Sequence, residues 1–453
     1  MPRRLALGLL AAAAAALVCA GHARAGGPIA WCGSGEPAAD QPDAVLAVSW
    51  HVLYVVPSNG VDRFASYAPH FAGDAAAMSN WWVGQDSTRR PRFDLLDAPG
   101  CASEYGRLDI SFLRLATPIG ALSFDEVTRE VAAAGFDDPD KAYLVYVDDT
   151  PHAGDEYGIC GEGGTDDTAL AYAVVFLQAC GQSYSDDRRQ LVATHEIVHG
   201  LGAVLPDAPH SCDDGHVCDA ANDLMQAAFD GSAWLGSVAL DVGRDDYYGH
   251  RGAWWDTRNS VLLYREESPR PAQLAVDGLT ATSVGDTAIV RWAGGAPPGS
   301  DYQVLAPDGS LGQTVSSGLS FTASAAIGQT LQWTLRALDP AGWLSAPATI
   351  RFKVGYGLVD ANGSLLRDTV PPSAVRRLKA TIARARVTLH WRPAVDTVGI
   401  AGYRVTVAGQ RPRLVHGTRI SLPLARVRGR RVSVVAVDVG GNRSASASVR
   451  VRR

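Results

Sequence analysis

The sequence predicts a multidomain chain in which an α+β domain is followed by two all-β sandwiches. Three observations carry this. The chain has 453 residues with 47% hydrophobic content, enough for about three separate cores. Up to about residue 265, strand-like apolar runs are interspersed with helical ones. Beyond Ser268-Pro269-Arg270-Pro271 the pattern changes to alternating apolar strands that recur with a period near one small domain. The boundaries read as a leader over 1–25, a first domain over 26–268, a sandwich over 269–356, a linker over 357–371 and a second sandwich over 372–453.

The leader has the parts of a secretory signal peptide. Arg3 and Arg4 precede an apolar run from Leu5 to Ala20, and Ala23-Arg24-Ala25 supplies a small-x-small cleavage site. The mature protein is expected to begin at Gly26 and to be secreted. Val18 stands where lipid attachment at Cys19 would need a small residue. No continuous apolar stretch that could span a membrane follows. Seven cysteines fall to six after cleavage, an even set suited to an oxidising compartment. Of fifteen connectivities, the favoured one pairs Cys212 with Cys218, Cys160 with Cys180 and Cys32 with Cys101. A structural zinc site using Cys212, Cys218, His210 and His216 is the alternative.

Within the first domain, strands are expected over 47–56, 108–115, 142–147 and 172–177, and helices over about 63–85, 124–135 and 186–201. The last helix is the best specified. Ser185 is its N-cap, Asp186 and Asp187 favour the positive end of the helix dipole, and Gly200 and Gly202 supply the stop.

On that helix lies His195-Glu196-Ile197-Val198-His199. Residues four apart share a helix face, so two imidazoles can reach one metal ion, and Glu196 is placed to act on a water beside it. A third protein ligand must come from elsewhere. The following loop offers Asp207, His210, Asp213, Asp214, His216, Asp219 and Asp223.

His195, Glu196, His199 and Gly202 match the signature H-E-x-x-H-x-x-G-x-x-H, and the sequence here resembles the metzincin family of zinc endopeptidases. The third histidine of that signature is replaced by Leu205. Leu201-Gly202-Ala203-Val204 and Ala208-Pro209-His210 are similar to stretches in secreted bacterial metzincin-like proteases. That likeness implies His210 as third ligand, with His216 and Asp207 as alternatives. Asn222-Asp223-Leu224-Met225 is the candidate methionine turn under the metal. Many metzincins carry a tyrosine two residues further on, where this chain has Ala227, and Tyr247 and Tyr248 are the available substitutes. The family implies a twisted sheet above the metal helix and an edge strand that takes up an extended substrate. Ala171 to Leu177 reads either as that edge strand or as an interior strand. Asp148-Asp149, Asp166-Asp167 and Asp213-Asp214 could bind Ca2+, although none matches an EF-hand loop and such pairs are commonly solvated.

In the C-terminal half, Trp292 and Trp391, Tyr302 and Tyr403, and Asp339 and Asp438 recur at nearly constant offset. Each copy ends alike, in Ala337-Leu338-Asp339 with Ser345 and in Ala436-Val437-Asp438 with Ser444. These copies resemble fibronectin type III modules, the second through Pro371-Pro372, Trp391, Gly399-Ile400, Tyr403 and Asp438. The tryptophans read as core. From residue 372 to the end, 17 Arg and one Lys stand against two Asp, a net charge of +16 in a chain whose total is -6. Such a module is expected to adhere to polyanionic surfaces.

The function these features predict is a secreted, monomeric zinc metalloendopeptidase acting on protein or peptide substrates. Its catalytic base is Glu196 and its metal ligands are His195, His199 and His210. The alternatives are a non-catalytic adhesin with a structural or relic metal site, and a zinc amidase acting on cell-wall peptide.

Overall fold

The computed structural model describes residues 28–452, apart from residues 34, 152–158, 166–169, 180–184, 213–214, 285, 308, 327, 355–358, 361–367, 369, 384 and 397–398. The leader and its cleavage site, Cys180, Asp166-Asp167 and Asp213-Asp214 lie outside the described residues. The chain is multidomain and mostly β, with few helices. Among the described residues, no helix is long and apolar enough to cross a membrane.

The first domain is built on a five-stranded sheet. Its elements are β1 (Ser49–Val56), α1 (Phe64–Gln85), β2 (Arg89–Pro91), β3 (Ile110–Arg114), α2 (Phe124–Ala133), β4 (Lys141–Val147), β5 (Gly161–Thr165), β6 (Ala171–Phe176) and α3 (Asp186–Gly200). The sheet order is β3-β1-β4-β6-β5. Four strands run parallel and β5 is antiparallel at the edge. Parallel neighbours need long crossovers, which α1 and α2 provide. Helices then cover both faces, and β1 and β4 are accordingly buried along their whole length.

Alternation along the strands divides the core in two. Trp50, Val52, Tyr54, Leu144, Tyr146, Ala173 and Val175 face α1 and α3. Leu53, Val55, Tyr143, Val145, Tyr172 and Val174 face α2, through Val127 and Val131. A buried ion pair joins the two helices on the first face: Arg189 of α3 donates to both carboxylate oxygens of Asp74 of α1, at 2.5 and 2.8 Å. This fixes α3 rotationally on the sheet. The interior reading of 171–177 is the correct one, since β6 is paired on both sides and β5 forms the edge.

After α3, a hairpin of β7 (Ser211–Cys212) and β8 (His216–Val217) is closed by the Cys212–Cys218 disulfide. Cys32 is bonded to Cys101. Cys160 is also disulfide-bonded. A thiolate zinc site at Cys212 and Cys218 is therefore excluded, because both sulfurs are spent in a covalent bond.

The first sandwich joins strands Ser320–Ser324, Thr287–Arg291, Thr280–Val284 and Val359–Asp360 in one sheet and Leu311–Val315, Asp301–Leu305, Thr330–Leu338 and Ala348–Lys353 in the other. Val359–Asp360 falls inside the stretch read as linker. The second sandwich has a three-stranded and a four-stranded sheet. Trp292 and Trp391 are buried against Tyr302 and Tyr403, as core residues. The repeat extends to its hydrogen bonds: the Ser345 and Ser444 hydroxyls accept from the amides of Ala337 and Ala436, both at 2.9 Å.

The first sandwich is docked on the first domain. Arg92 lies over the Trp343 ring at 4.6 Å and donates to the carbonyls of Ala341 and Gly342. Arg336 pairs with Asp140, whose other oxygen accepts from Gln303 at 2.6 Å.

Candidate metal centre

His195 and His199 lie on α3 one turn apart. The N-cap is as the sequence predicts, with the Ser185 hydroxyl accepting from the Arg188 amide. At the other end, Gly202 takes φ +97° and the chain makes a Schellman cap, Gly202 N–H to the His199 carbonyl and Ala203 N–H to that of Val198. This turn brings the Ala203 carbonyl to His199 Nδ1 at 2.9 Å. The Leu224 carbonyl accepts from His195 Nδ1 at 2.6 Å.

A carbonyl can only accept, so each ring carries its proton on Nδ1 and leaves a lone pair on Nε2. The two Nε2 atoms are 3.2 Å apart, and that of His216 is 3.3 Å from His195 Nε2. Burial pushes His195 well below the usual imidazole range. Burial likewise holds His199 down at about 4, against the opposing Ala203 hydrogen bond. Both are neutral at pH 7. The ligand atoms of His195, His199 and His216 all lie within 4.8 Å of one another, and three imidazoles so grouped could hold one metal ion.

The expected third residue, His210, is not in this group. Its amide and its Nδ1 are both bonded to the buried carboxylate of Asp246, at 2.8 and 3.0 Å, and Asp219 lies 3.7 Å from the same nitrogen. These two hydrogen bonds hold the ring at Asp246, outside the histidine group. His216, named as an alternative, is brought in because β7 and β8 fold back over the helix end. Gly215 approaches the His199 ring, and its carbonyl accepts from Val204 N–H at 3.1 Å. Asp207 is exposed and outside the group.

Met225 is fully buried, in a turn held by Asp223. Asp223 accepts from the Met225 amide at 2.8 Å, the Val242 amide at 2.6 Å and the Tyr247 hydroxyl at 2.8 Å. Tyr247 thus supports the turn that carries the Leu224 carbonyl, while Tyr248 donates to Asp86. Neither hydroxyl is directed to the histidines. Asp148 is occupied by Arg63, Tyr54 and Gln178.

Glu196 is 5% exposed, and burial together with the neighbouring Glu162 raises its carboxyl well above the usual range. It lies under β5. A Cβ on Gly161 would stand 2.7 Å from Glu196 Oε1, and one on Gly163 would stand 2.4 Å from the Glu196 carbonyl and 2.7 Å from His199 Cβ. These glycines let the edge strand lie directly on the helix. Sequence reasoning missed β5 because Gly161-Glu162-Gly163-Gly164-Thr165 lacks strand propensity. The paired glycines ahead of the motif helix are the signal that could have found it. A cavity lined by Arg92, Phe93, Tyr264 and Trp343 lies at the junction with the first sandwich and shares no residue with the histidine group.

No family model and no curated protein matches the chain. Similar solved structures include archaemetzincin from Methanopyrus kandleri, 14% identical over 41% of this chain and 84% of that one, with a TM-score of 0.24. A two-module fibronectin type III segment of chicken tenascin is 18% identical over 40% of this chain and 99% of the other, with a TM-score of 0.19. The Clostridium perfringens spore cortex lytic enzyme SleM is 24% identical over 17% of this chain, with a TM-score of 0.16, and the match spans 27% of its length.

Proposed function

We propose that this chain is a secreted zinc-dependent endopeptidase of metzincin type. His195, His199 and His216 are the ligands and Glu196 is the general base. The observation that supports it best is the set of imidazole Nε2 atoms turned to one point, two of them with their Nδ1 protons committed to carbonyls. Neutral rings so placed have lone pairs in mutual contact, an arrangement that a cation relieves.

Zinc bound there supplies a Lewis acid for a peptide carbonyl and acidifies a water in its open position. The remaining chemistry belongs to the chain. Glu196, one residue from the first ligand, takes a proton from the attacking water and passes it to the leaving amine, in the carboxylate form that a cation held by the neighbouring histidines would favour over the protonated form favoured by burial. Its burial keeps bulk water from competing for that proton. The edge strand β5 offers an extended peptide a main-chain partner beside the site. The sandwiches hold the catalytic domain at a surface, the basic one by contact with polyanions.

The test is zinc content together with cleavage of casein and of peptidoglycan. Glu196→Gln should retain stoichiometric zinc and lose cleavage by about 10²–10⁴-fold, the usual worth of a general base. An active Glu196→Gln protein would falsify the role of Glu196. Clearing of peptidoglycan with casein left intact would assign the chemistry to cell-wall peptide instead.

A further inference from the structure

We infer that the second sandwich carries a site for a hard divalent cation, with calcium as the best match, built by Asp368, Asp396 and Asp438. It lies outside the histidine centre and does not depend on the function proposed for it.

The three carboxylates come from separate segments at one end of the sandwich. Asp368 precedes its first strand, Asp396 follows the strand that carries Trp391, and Asp438 ends the strand Arg431–Asp438. One oxygen from each lies within 4.8 Å of the others. Oxygens bound to a single calcium ion at about 2.4 Å are at most about 4.8 Å apart, so the spacing fits.

Two of the three carboxylates are buried. Asp438 is 1% exposed and Asp368 9%. Each spends Oδ1 on a backbone amide, Asp438 on Asn442 at 2.7 Å and Asp368 on Val370 at 3.0 Å. The Oδ2 atoms of both are buried without a hydrogen-bond partner. Among the described residues neither makes an ion pair, although the module is crowded with arginine. Buried carboxylate oxygens left this way are costly unless something positive meets them.

Composition sharpens the point. Asp396 and Asp438 are the two acidic residues in the whole stretch from residue 372 to the end, and the fold places both beside Asp368. Close approach is arranged by Gly440, where a Cβ would stand 2.5 Å from Asp368 Cβ and 3.0 Å from its Oδ2. Asn442 donates through Nδ2 to the Asp368 carbonyl at 2.9 Å, which fastens the entering segment to the same loop. The first sandwich is an internal control. It keeps the equivalent Asp339, but at the distances from Trp292 that match Asp368 and Asp396 from Trp391 it has Pro269 and Pro297. A bound cation would tie the segment that enters the second module to two of its loops.

The experiment uses the full-length, zinc-saturated mature protein in resin-decalcified buffer. Calcium chloride is the ligand, and both equilibrium dialysis and thermal unfolding are read. Wild type is expected to bind one equivalent more calcium than Asp368→Asn or Asp438→Asn, and calcium should raise the unfolding temperature of wild type but not that component in the variants. In calcium-free buffer both variants should melt at or above wild type, because a buried negative charge has been removed, and this shows that they fold. Equal calcium uptake by wild type and variants, or none by wild type at millimolar calcium, would overturn the site.

Discussion

The Nε2 atoms of His195 and His199 face each other at 3.2 Å, each on a ring whose Nδ1 proton is committed to a carbonyl. Two lone pairs therefore meet at one point. The carbonyls come from Leu224 and Ala203, which belong to the turn before Met225 and to the helix cap. The orientation of the site thus depends on two loops outside the helix.

The ligand set follows from this geometry. His216→Ala should lower zinc affinity by more than the about 10–100-fold that loss of an outer-shell partner costs, while His210→Ala should keep stoichiometric zinc. Metal analysis after dialysis reads both. Loss of zinc from His210→Ala with retention in His216→Ala would restore the assignment expected from the sequence.

Proton linkage gives a second expectation for the zinc-free protein. His199 is held at about 4 in the fold against an ordinary 6.5, so the unfolded chain binds more protons between those values. Its contribution is fully present above about pH 6.5 and is lost as pH falls toward 4, by about 3 kcal/mol at most. Glu196 shifts in the opposite sense and adds stability that is lost as pH rises. The clean readout is the urea midpoint of Glu196→Gln against Glu196→Gln/His199→Asn at pH 7 and pH 4.5. An unchanged difference between the two pH values would refute the shift.

Asp74 and Arg189 form a buried pair between α1 and α3. Asp74→Ala leaves the buried guanidinium with only the partly exposed Asp186, at 2.8 Å, as counter-charge, and should destabilise by about 3 kcal/mol, the low end of the cost of breaking a buried pair. Replacing the pair together, as Asp74→Leu with Arg189→Met, should recover much of that loss in urea unfolding.

Gly163→Ala would drive a methyl group into the Glu196 carbonyl and His199 Cβ. The edge strand must lift, at about 1–3 kcal/mol, and zinc affinity should fall with it. Gly164→Ala, whose Cβ would meet nothing within 4 Å, is the matched control and should behave as wild type.

The basic module should retain the protein on heparin resin at low salt and release it on modest salt increase, as expected for a net +16 stretch. Passage through the column without retention at about 50 mM salt, where such contacts are strong, would remove the adhesion reading.

Much of this protein is legible along the chain. The helix under His195 was specified locally, by Ser185, the first-turn aspartates and Gly202, because caps and helix faces are short-range properties. Buried strands announce themselves by apolar runs, and the repeat of the sandwiches by Trp, Tyr, Asp and Ser at nearly constant offset. By contrast β5 was invisible, since its glycines serve close packing on α3 and carry no strand signal.

By itself, the sequence determined that two histidines share one helix face with a glutamate on the flank next to the first, since a 3.6-residue repeat requires it. It left three candidates for the remaining position. Only the tertiary structure shows which of them stands beside His195 and His199, because His210 and His216 are equally local to the helix in sequence and differ in what holds them. Asp246, 36 residues away, takes the His210 ring, while the disulfide-closed hairpin delivers His216. The carboxylate group at Asp368, Asp396 and Asp438 was likewise assembled from residues whose separation along the chain conceals that they meet.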